Sequence, residues 1–134
     1  MITHFLNKTK DGGKTSPVDA YFLFEIKGLC SVALLKFNKG GREDFHSHAF
    51  NALTWFITGD LTEQKIDGTL KKYKRSILPK FTSKSNCHRV IARKDSWCFT
   101  LRGSWEEEWY EINNSKTEKT VLTNNRKIVS KEKI

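Results

Sequence analysis

Short apolar runs separated by turn signals constrain the fold of this chain most strongly. Examples are residues 18–26, 31–37, 52–58 and 97–102, which are rich in aromatic and β-branched side chains and closely followed by Gly or Asn. Several of them alternate between two kinds of side chain, which is the period of a strand rather than of a helix. We count about nine such runs at spacings of roughly ten residues. The pattern predicts an all-β domain, either a sandwich or a barrel.

The predicted strand ends rest on turn chemistry. Asp67-Gly68 is the clearest hairpin signal, because this dipeptide suits a tight turn between antiparallel strands. Gly59-Asp60 is predicted to end one strand, and residues 94–96 are predicted to turn the chain between two others. These breaks keep each expected strand short, as in most antiparallel barrels.

A length of 134 residues fits one domain. We divide the chain into an N-terminal arm at 1–17, a barrel at 18–113, and a C-terminal hairpin strand with a basic tail at 114–134. The last part of the tail is Lys- and Asn-rich and is expected to fray. Trp55 and Trp97 are expected to fill the barrel or its sheet interface.

The charge balance favours anionic partners. The net charge is +9, and the stretch from Gly68 to Lys94 contains no acidic residue. Nucleic acid, nucleotides, phosphorylated metabolites and acidic lipid all fit this balance, and so does a plain Lys-rich surface. No recognition helix is predicted, which argues against sequence-specific binding of nucleic acid.

The cysteines and the first residues indicate the compartment. Cys30, Cys87 and Cys98 are odd in number, so they cannot all pair. Residues 1–5 lack the basic start of a signal peptide, and no apolar stretch approaches the ~20 residues that span a bilayer. We therefore expect a reduced, cytoplasmic protein with free thiols and no membrane partner.

Three of the four histidines fall in two places that suit a metal site. His46 and His48 are two residues apart, so in a strand both imidazoles point to one face. His88 begins a predicted strand about forty residues later. Neutral imidazoles bind Zn, Fe, Cu and Ni alike, so the ligand type does not name the metal. Surface histidines in a loop are the alternative.

Residues around the histidine pair also resemble a known superfamily. Gly40 precedes the pair and Gly59 follows it at the distances found in the first motif of the cupin superfamily, small β-barrels of jelly-roll type. Pro79 and His88 stand for the proline and histidine of the second motif. Over about residues 20–112 the chain therefore resembles a cupin. The resemblance implies a cupin-type double-stranded β-helix (jelly-roll barrel) with a divalent metal.

Two departures from the cupin pattern affect the ligand set. The motif's glutamate would fall at Ala52 or Leu53, and the glycine of the second motif is absent. The resemblance then implies a three-histidine site, as in cupins of the thiol dioxygenase type, or one completed by Glu63. Asn51 is a candidate contact of a metal-bound water. Cys87 as a thiolate ligand, Glu63 as a solvated hairpin residue, and a degenerate cupin without metal remain alternatives.

Three arginines are candidate ligand-binding residues, because a guanidinium binds carboxylate or phosphate through two parallel hydrogen bonds. They are Arg75, Arg89 and Arg102, and for Arg89 a solvated strand face is an equal alternative. Trp105 is a candidate for lining the mouth of the barrel. These residues predict a small polar or anionic ligand, with a nucleotide among the candidates.

The resemblance leaves several functions open, and whether the protein is an enzyme stays undecided. The first is a mononuclear oxygenase that uses Fe(II), with Zn, Ni or Mn as other candidate metals. The second is a non-catalytic binding module for an anion such as a nucleotide. The third is a sugar or sugar-nucleotide isomerase, for which the sequence offers no convincing general base. Many cupins form homodimers through edge strands or N-terminal arms, so a homodimer is also a candidate.

Overall fold

The computed structural model describes residues 2–13, 15–123 and 126–134, and these form strands joined by turns. In chain order the strands are β1 (Ile2–Lys10), β2 (Val18–Ile26), β3 (Cys30–Phe37), β4 (Gly40–Gly41), β5 (Phe45–His46), β6 (Ala52–Lys65), β7 (Leu70–Tyr73), β8 (Lys80–Thr82), β9 (His88–Arg102), β10 (Glu108–Ile112), β11 (Glu118–Thr123) and β12 (Ile128–Lys133). Those three ranges contain no helix, and hence none that is long and apolar enough to cross a membrane. The predicted all-β class is confirmed.

All strand pairs are antiparallel, and they join into one sheet that closes around an interior cavity. Its main path runs β1-β2-β3-β9-β5-β10-β11-β12, with β6 paired to β7, β8 and β9, and β4 paired to β9. The longest pairing joins β6 to β9, from Ala52 opposite Arg102 to Lys65 opposite His88. These two strands form one wall of the barrel and carry residues of the site described below.

Two predicted strand ends are wrong, because the turn residues form a bulge between β6 and β9. Both strands continue through Gly59-Asp60 and 94–96, with register shifts at this point. Gly59 has a φ of 114°, and a Cβ there would lie 2.0 Å from Oγ of Ser96. The Ser96 hydroxyl accepts a hydrogen bond from the backbone N–H of Asp60 at 3.0 Å and donates one to the carbonyl of Lys94 at 2.8 Å. Gly59 and Ser96 therefore change the direction of the two strands without ending them.

The predicted hairpin at Asp67-Gly68 is confirmed. The backbone N–H of Lys65 donates to the carbonyl of Thr69, and that of Gly68 donates to the carbonyl of Lys65, both at 2.9 Å. Gly68 has a φ of 94°, a value that favours glycine. The side chain of Asp67 also accepts a hydrogen bond from the backbone of Thr69 at 2.9 Å. Local turn chemistry was therefore sufficient to predict this connection.

Both ends of the chain are paired as strands. In the arm, β1 lies against β2, with Asn7 opposite Phe22. In the tail, β12 lies against β11, with Val121 opposite Ser130. The expected fraying of the tail is therefore wrong, because backbone pairing with β11 orders a segment whose side chains are mostly exposed.

Aromatic side chains lie on the outside of the barrel wall as well as inside. Trp55 packs on Phe99 with ring centroids 5.8 Å apart, and Trp97 packs on Tyr21 at 5.5 Å. Both tryptophans are half-buried on the outer face, so the first of their two expected positions, the barrel interior, is wrong. The alternation of β9 places Cys98, which is 0% exposed, on the inner side instead. The buried core cluster consists of Val18, Ala20, Phe22, Ala33, Leu35, Leu61, Ala92 and Cys98.

Candidate metal centre

Backbone pairing brings the three predicted histidines together. On β5, His46 lies opposite His88 of β9 on one side and opposite Glu111 of β10 on the other. The next residue, Ser47, is fixed to Tyr110, because its N–H donates to that carbonyl at 2.9 Å and its hydroxyl accepts from the Tyr110 N–H at 3.0 Å. Ser47 is thus held against β10, and the two flanking histidines lie together with His88.

The three-histidine group (His46, His48 and His88) has the dimensions of a ligand set. Ring centroids are 4.8–5.0 Å apart in all three pairs, and the ligand nitrogens all lie within 4.8 Å of one another. Nε2 of His48 and Nε2 of His88 are 3.3 Å apart. Three imidazoles that converge in this way fit a divalent metal with open coordination positions, as in catalytic three-histidine zinc sites.

Burial keeps two of these histidines in the form that binds metal. It lowers the pKa of His48 to about 3, with further contributions from the charges of His88 and Arg102. Burial also holds the pKa of His46 well below its usual value. Nδ1 of each ring is buried and has no hydrogen-bond partner among the described residues. Both imidazoles are therefore neutral at pH 7, which is the protonation state a metal requires.

Glu63 is buried against the third histidine. One carboxylate oxygen is hydrogen-bonded to Nδ1 of His88, and the side chain of Glu63 is only 2% exposed. Its interpretation as a solvated hairpin residue is therefore wrong. Because Nδ1 is bound to the carboxylate, Nε2 of His88 is left to face the other histidines. Carboxylates that orient metal-binding histidines in this way also raise the basicity of the imidazole.

Other polar groups hold the Glu63 carboxylate in place. Lys80 Nζ donates to Oε1 at 2.8 Å, Tyr73 donates to the same oxygen at 3.3 Å, and Asn86 donates to Oε2 at 3.1 Å. Burial alone would raise the pKa of Glu63, but the hydrogen bonds from His88 and Lys80 lower it below its usual value. Burial and the nearby carboxylate raise the pKa of Tyr73 to about 12. These partners could not be predicted from the sequence, because they come from three places in the chain (β7, β8 and the loop before β9) and meet only in the folded barrel.

A cavity of about 620 Å³ opens from the three-histidine group into the barrel. Of the five candidate ligand-binding residues, Arg102 and Trp105 line it. The side chain of Asn51 instead accepts a hydrogen bond from the backbone of Lys84 at 2.8 Å, outside the lining. Arg75 lies exposed in the loop after β7. The structure therefore places two of the five at the cavity.

Arg89 lies outside the cavity and is bound to its neighbours. Its Nε donates to Gln64 at 2.8 Å, and Nη1 donates to the carbonyl of Glu43 at 2.7 Å and to the side chain of Asn114 at 2.6 Å. The guanidinium also lies 4.5 Å from the centroid of the Phe45 ring. These contacts join three loops and strands, which is a structural role.

Arg102 lies in the cavity wall, paired to a carboxylate of the N-terminal arm. Its two terminal nitrogens donate to Asp11 at 2.6 and 3.2 Å, and the guanidinium lies 4.6 Å from the centroid of the Phe50 ring. Burial would raise the pKa of Asp11, but the adjacent guanidinium lowers it below its usual value. Asp11 directly follows β1, and nothing in its local sequence marks it as a partner of Arg102.

A second carboxylate inside the barrel was also missed. Glu25 is 2% exposed and lines the cavity. The hydroxyl of Thr3 donates to its Oε1 at 2.7 Å, and Nε2 of His4 lies 3.8 Å from the same oxygen. His4 stacks on Phe22 at 4.8 Å between ring centroids. The fourth histidine therefore belongs to the carboxylate region of the cavity and not to the candidate metal centre.

Cys87 packs away from the candidate metal centre. It is 7% exposed and belongs to an apolar cluster with Phe45 and Ile112. Burial raises the pKa of its thiol, which disfavours the thiolate that a zinc site would require. Cys30 and Cys98 are also free thiols. The alternative of a histidine–thiolate zinc site therefore has no geometric support.

No protein-family model and no curated protein matches the chain. Its fold does match solved structures. An RmlC-like cupin from Shewanella frigidimarina is 16% identical with a TM-score of 0.58, over 78% of this chain and 93% of that chain. A sugar phosphate isomerase from a cupin superfamily, from Silicibacter pomeroyi, is 13% identical with a TM-score of 0.58, over 87% and 76%. Ectoine synthase from P. lautus is 16% identical with a TM-score of 0.56, over 71% and 70%. At these identities the similarity is one of fold.

Proposed function

We propose that this chain, which has the cupin fold, is a mononuclear metal enzyme that uses Fe(II) for oxygen-dependent chemistry on a small polar or anionic substrate. The convergence of the three-histidine group, with its ligand nitrogens within 4.8 Å of one another, carries the proposal. When bound, Fe(II) supplies the redox chemistry with oxygen, while Zn, Ni and Mn are the other candidate metals. His46, His48 and His88 would hold the metal, and the cavity beside them would receive the substrate.

The residues around the proposed metal have separate roles. Glu63 orients His88 from behind, and its contacts with Lys80 and Asn86 support this role over that of a fourth ligand. Phe50 and Phe56 supply apolar wall to the cavity. Such walls strengthen electrostatic interactions inside a site by excluding water. The polar substrate would then be oriented by the charged groups that share the cavity.

Metal content tests the proposal directly. We expect purified protein reconstituted with Fe(II) to hold about one metal per chain by elemental analysis, and His46→Ala to lose it. His4→Ala is the matched control, because His4 lines the same cavity but lies outside the three-histidine group. Wild-type protein that binds none of the four metals would contradict the proposal. Metal binding without oxygen consumption across candidate substrates would contradict the oxygenase part alone.

A sugar or sugar-nucleotide isomerase is the second candidate. The observation that favours it is the buried carboxylate of Glu25 in the cavity, because proton transfer requires a positioned base. A structural neighbour is also a sugar phosphate isomerase. This function predicts that substrate protons exchange with deuterated water without oxygen, and that Glu25→Gln abolishes the exchange. Oxygen-dependent turnover that survives Glu25→Gln would exclude it.

The outer face of the barrel wall supports a homodimer. Leu53 lies opposite Leu101 and Phe81 on neighbouring strands, and Trp55 lies opposite Phe99. Leu53, Leu101 and Phe81 are 37%, 36% and 61% exposed. A contiguous apolar patch of this kind usually marks an interface, and a second copy would cover it with the same patch. We call these five residues the outer patch and propose it as the dimer surface, in place of edge strands or N-terminal arms.

A further inference from the structure

We infer that the cavity contains an oxyanion site made of three arginines beside the three-histidine group, and that it binds the phosphate of a small phosphorylated ligand. The three are Arg42, Arg102 and Arg126, here called the arginine cluster. The inference deepens the proposed function and rests on it for the metal, but phosphate binding itself does not require the metal. Two of the three arginines were not among the sequence-predicted ligand contacts.

The three arginines come from distant parts of the chain and line the same cavity as the histidines. Arg42 directly follows β4, Arg102 ends β9, and Arg126 lies between β11 and β12. Glu111, which binds both Arg42 and Arg126, lies opposite His46 in the β5–β10 pairing, so these arginines lie near the three-histidine group. A ligand bound to the arginine cluster would therefore lie beside the metal.

Two carboxylates hold the guanidiniums in place. Glu111 accepts from Nη2 of Arg42 at 2.9 Å through one oxygen and from Nη2 of Arg126 at 2.8 Å through the other. Asp11 accepts hydrogen bonds from both terminal nitrogens of Arg102. Each guanidinium carries more N–H donors than these bonds use, so donors remain for a ligand. Prealigned guanidiniums bind an oxyanion at a lower entropic cost than free ones.

A glycine pair lets the backbone of the arm approach two members of the cluster. Gly12 and Gly13 have φ values of 104° and 102°, which strain any other residue. A Cβ at Gly12 would lie 2.9 Å from Nη1 of Arg42, and one at Gly13 would lie 3.2 Å from three atoms of the Arg126 guanidinium. A side chain at Gly12 or Gly13 would therefore displace the guanidinium beside it from its present position.

The cavity has an excess of positive charge, which favours an anion, and its three guanidiniums favour phosphate over a single carboxylate. Its lining includes more cations than carboxylates: Lys10, Lys27, Lys80 and the arginine cluster against Asp11, Glu25 and Glu63. Asp19 and Glu111 pair with some of these cations from behind, and cations still exceed carboxylates by one before any metal is added. A phosphate monoester brings a charge of about −2 and three acceptor oxygens, which matches three guanidiniums.

Binding of inorganic phosphate to the full chain, measured by calorimetry, tests the inference. We expect Arg42→Gln and Arg126→Gln each to weaken binding about tenfold, since each removes a charge-assisted contact. Arg42→Lys retains the charge but not the planar fork, so it should recover only part of the loss. Arg89→Gln is the matched control, because it removes an arginine of the same barrel outside the cavity, and it should leave affinity within about twofold.

Two further measurements separate this inference from the proposed function. Metal content should be unchanged in Arg42→Gln and Arg126→Gln, which also shows that both variants fold. Phosphate binding should persist in His46→Ala without metal. The inference is overturned if the two arginine variants bind phosphate as Arg89→Gln does, or if His46→Ala binds none. It is equally overturned if the wild type binds acetate or succinate but not phosphate.

Discussion

The inner and outer faces of the wall formed by β6 and β9 differ in chemistry at the end where Leu53 lies opposite Leu101. Neighbouring residues of β6 show the contrast, because Leu53 belongs to the apolar outer patch while Thr54 lines the cavity. On β9, Leu101 points outward, whereas Thr100 and Arg102 point inward and are 1% and 4% exposed. Farther along the same strands, Leu61, Ala92 and Cys98 give the inner face the apolar character of an ordinary small barrel.

This local contrast indicates what each face is for. Buried polar and charged groups are costly unless they are paired, and here they are paired: Glu63 with Lys80 and His88, and Arg102 with Asp11. The pairing keeps a polar interior stable enough to receive a polar ligand. An exposed apolar face costs stability and solubility until something covers it. The inner face therefore suits a ligand, and the outer face suits a protein surface.

The largest expected effect comes from a charge on the outer face. Leu53→Lys and Leu101→Lys should each weaken dimerisation about 100-fold or more, because both place a charge at the centre of the outer patch. Metal content should be unchanged, since neither side chain reaches the cavity. Analytical ultracentrifugation over a range of concentrations measures the first effect, and elemental analysis measures the second.

Leu70→Lys is the control for these variants, because Leu70 is 62% exposed on β7, away from the outer patch. It should leave the dimer intact. If the wild type is monomeric, or if all three variants dimerise equally well, the outer patch is not the dimer surface. Only the inner face would then have a role that follows from its chemistry.

The inner face should respond to loss of a carboxylate that touches no metal. Glu63→Gln should weaken metal affinity about 10- to 100-fold, the range typical for groups that orient a metal-binding histidine. Glu25→Gln removes the other buried carboxylate of the cavity without touching the three-histidine group, so its metal affinity should match the wild type. Competition with a chromophoric chelator measures both. Equal affinities of the two variants would show that Glu63 does not position His88.

Sequence was sufficient where the determinants are local. The spacing of His46 and His48 predicted that both imidazoles lie on one side, and they do, although β5 ends at His46 and His48 lies beyond it. The Asp67-Gly68 turn closes its hairpin as expected. Gly59 correctly predicted a break in the regular pairing. Its contact with Ser96 on the facing strand makes that break a bulge and not a strand end. Periodicity thus predicted the fold class and the histidines, while the strand bounds required knowledge of the partner strand.

The rest of the site depends on pairings that are distant in sequence. Asp11 and Arg102 are 91 positions apart, and Arg42 and Glu111 are 69 apart. No local pattern distinguishes such charges from solvated ones, which is why Arg89 was selected as a candidate together with Arg102. The two arginines differ in whether the guanidinium points into the barrel, and this is determined by the register of β9.

The inner face should also make the stability of the protein depend on pH. Burial lowers the pKa of His48 to about 3 and that of His46 well below the usual 6.5. Below pH 6.5 the unfolded chain therefore takes up protons at these histidines, whereas the folded chain does not. The free energy of unfolding of the metal-free protein should fall as pH decreases, by up to about 1.4 kcal/mol per pH unit for each histidine.

Urea unfolding in the presence of a chelator, between about pH 7 and pH 5, isolates this contribution from the carboxylates, which titrate at lower pH. The double variant His46→Gln/His48→Gln retains polar side chains that do not titrate, so its stability should fall less over this interval. Leu53→Lys is the matched variant of the outer face and should keep the wild-type slope. A double variant as acid-sensitive as the wild type would mean that the two imidazoles are not held neutral by burial, and that the inner face is wetter than its packing implies.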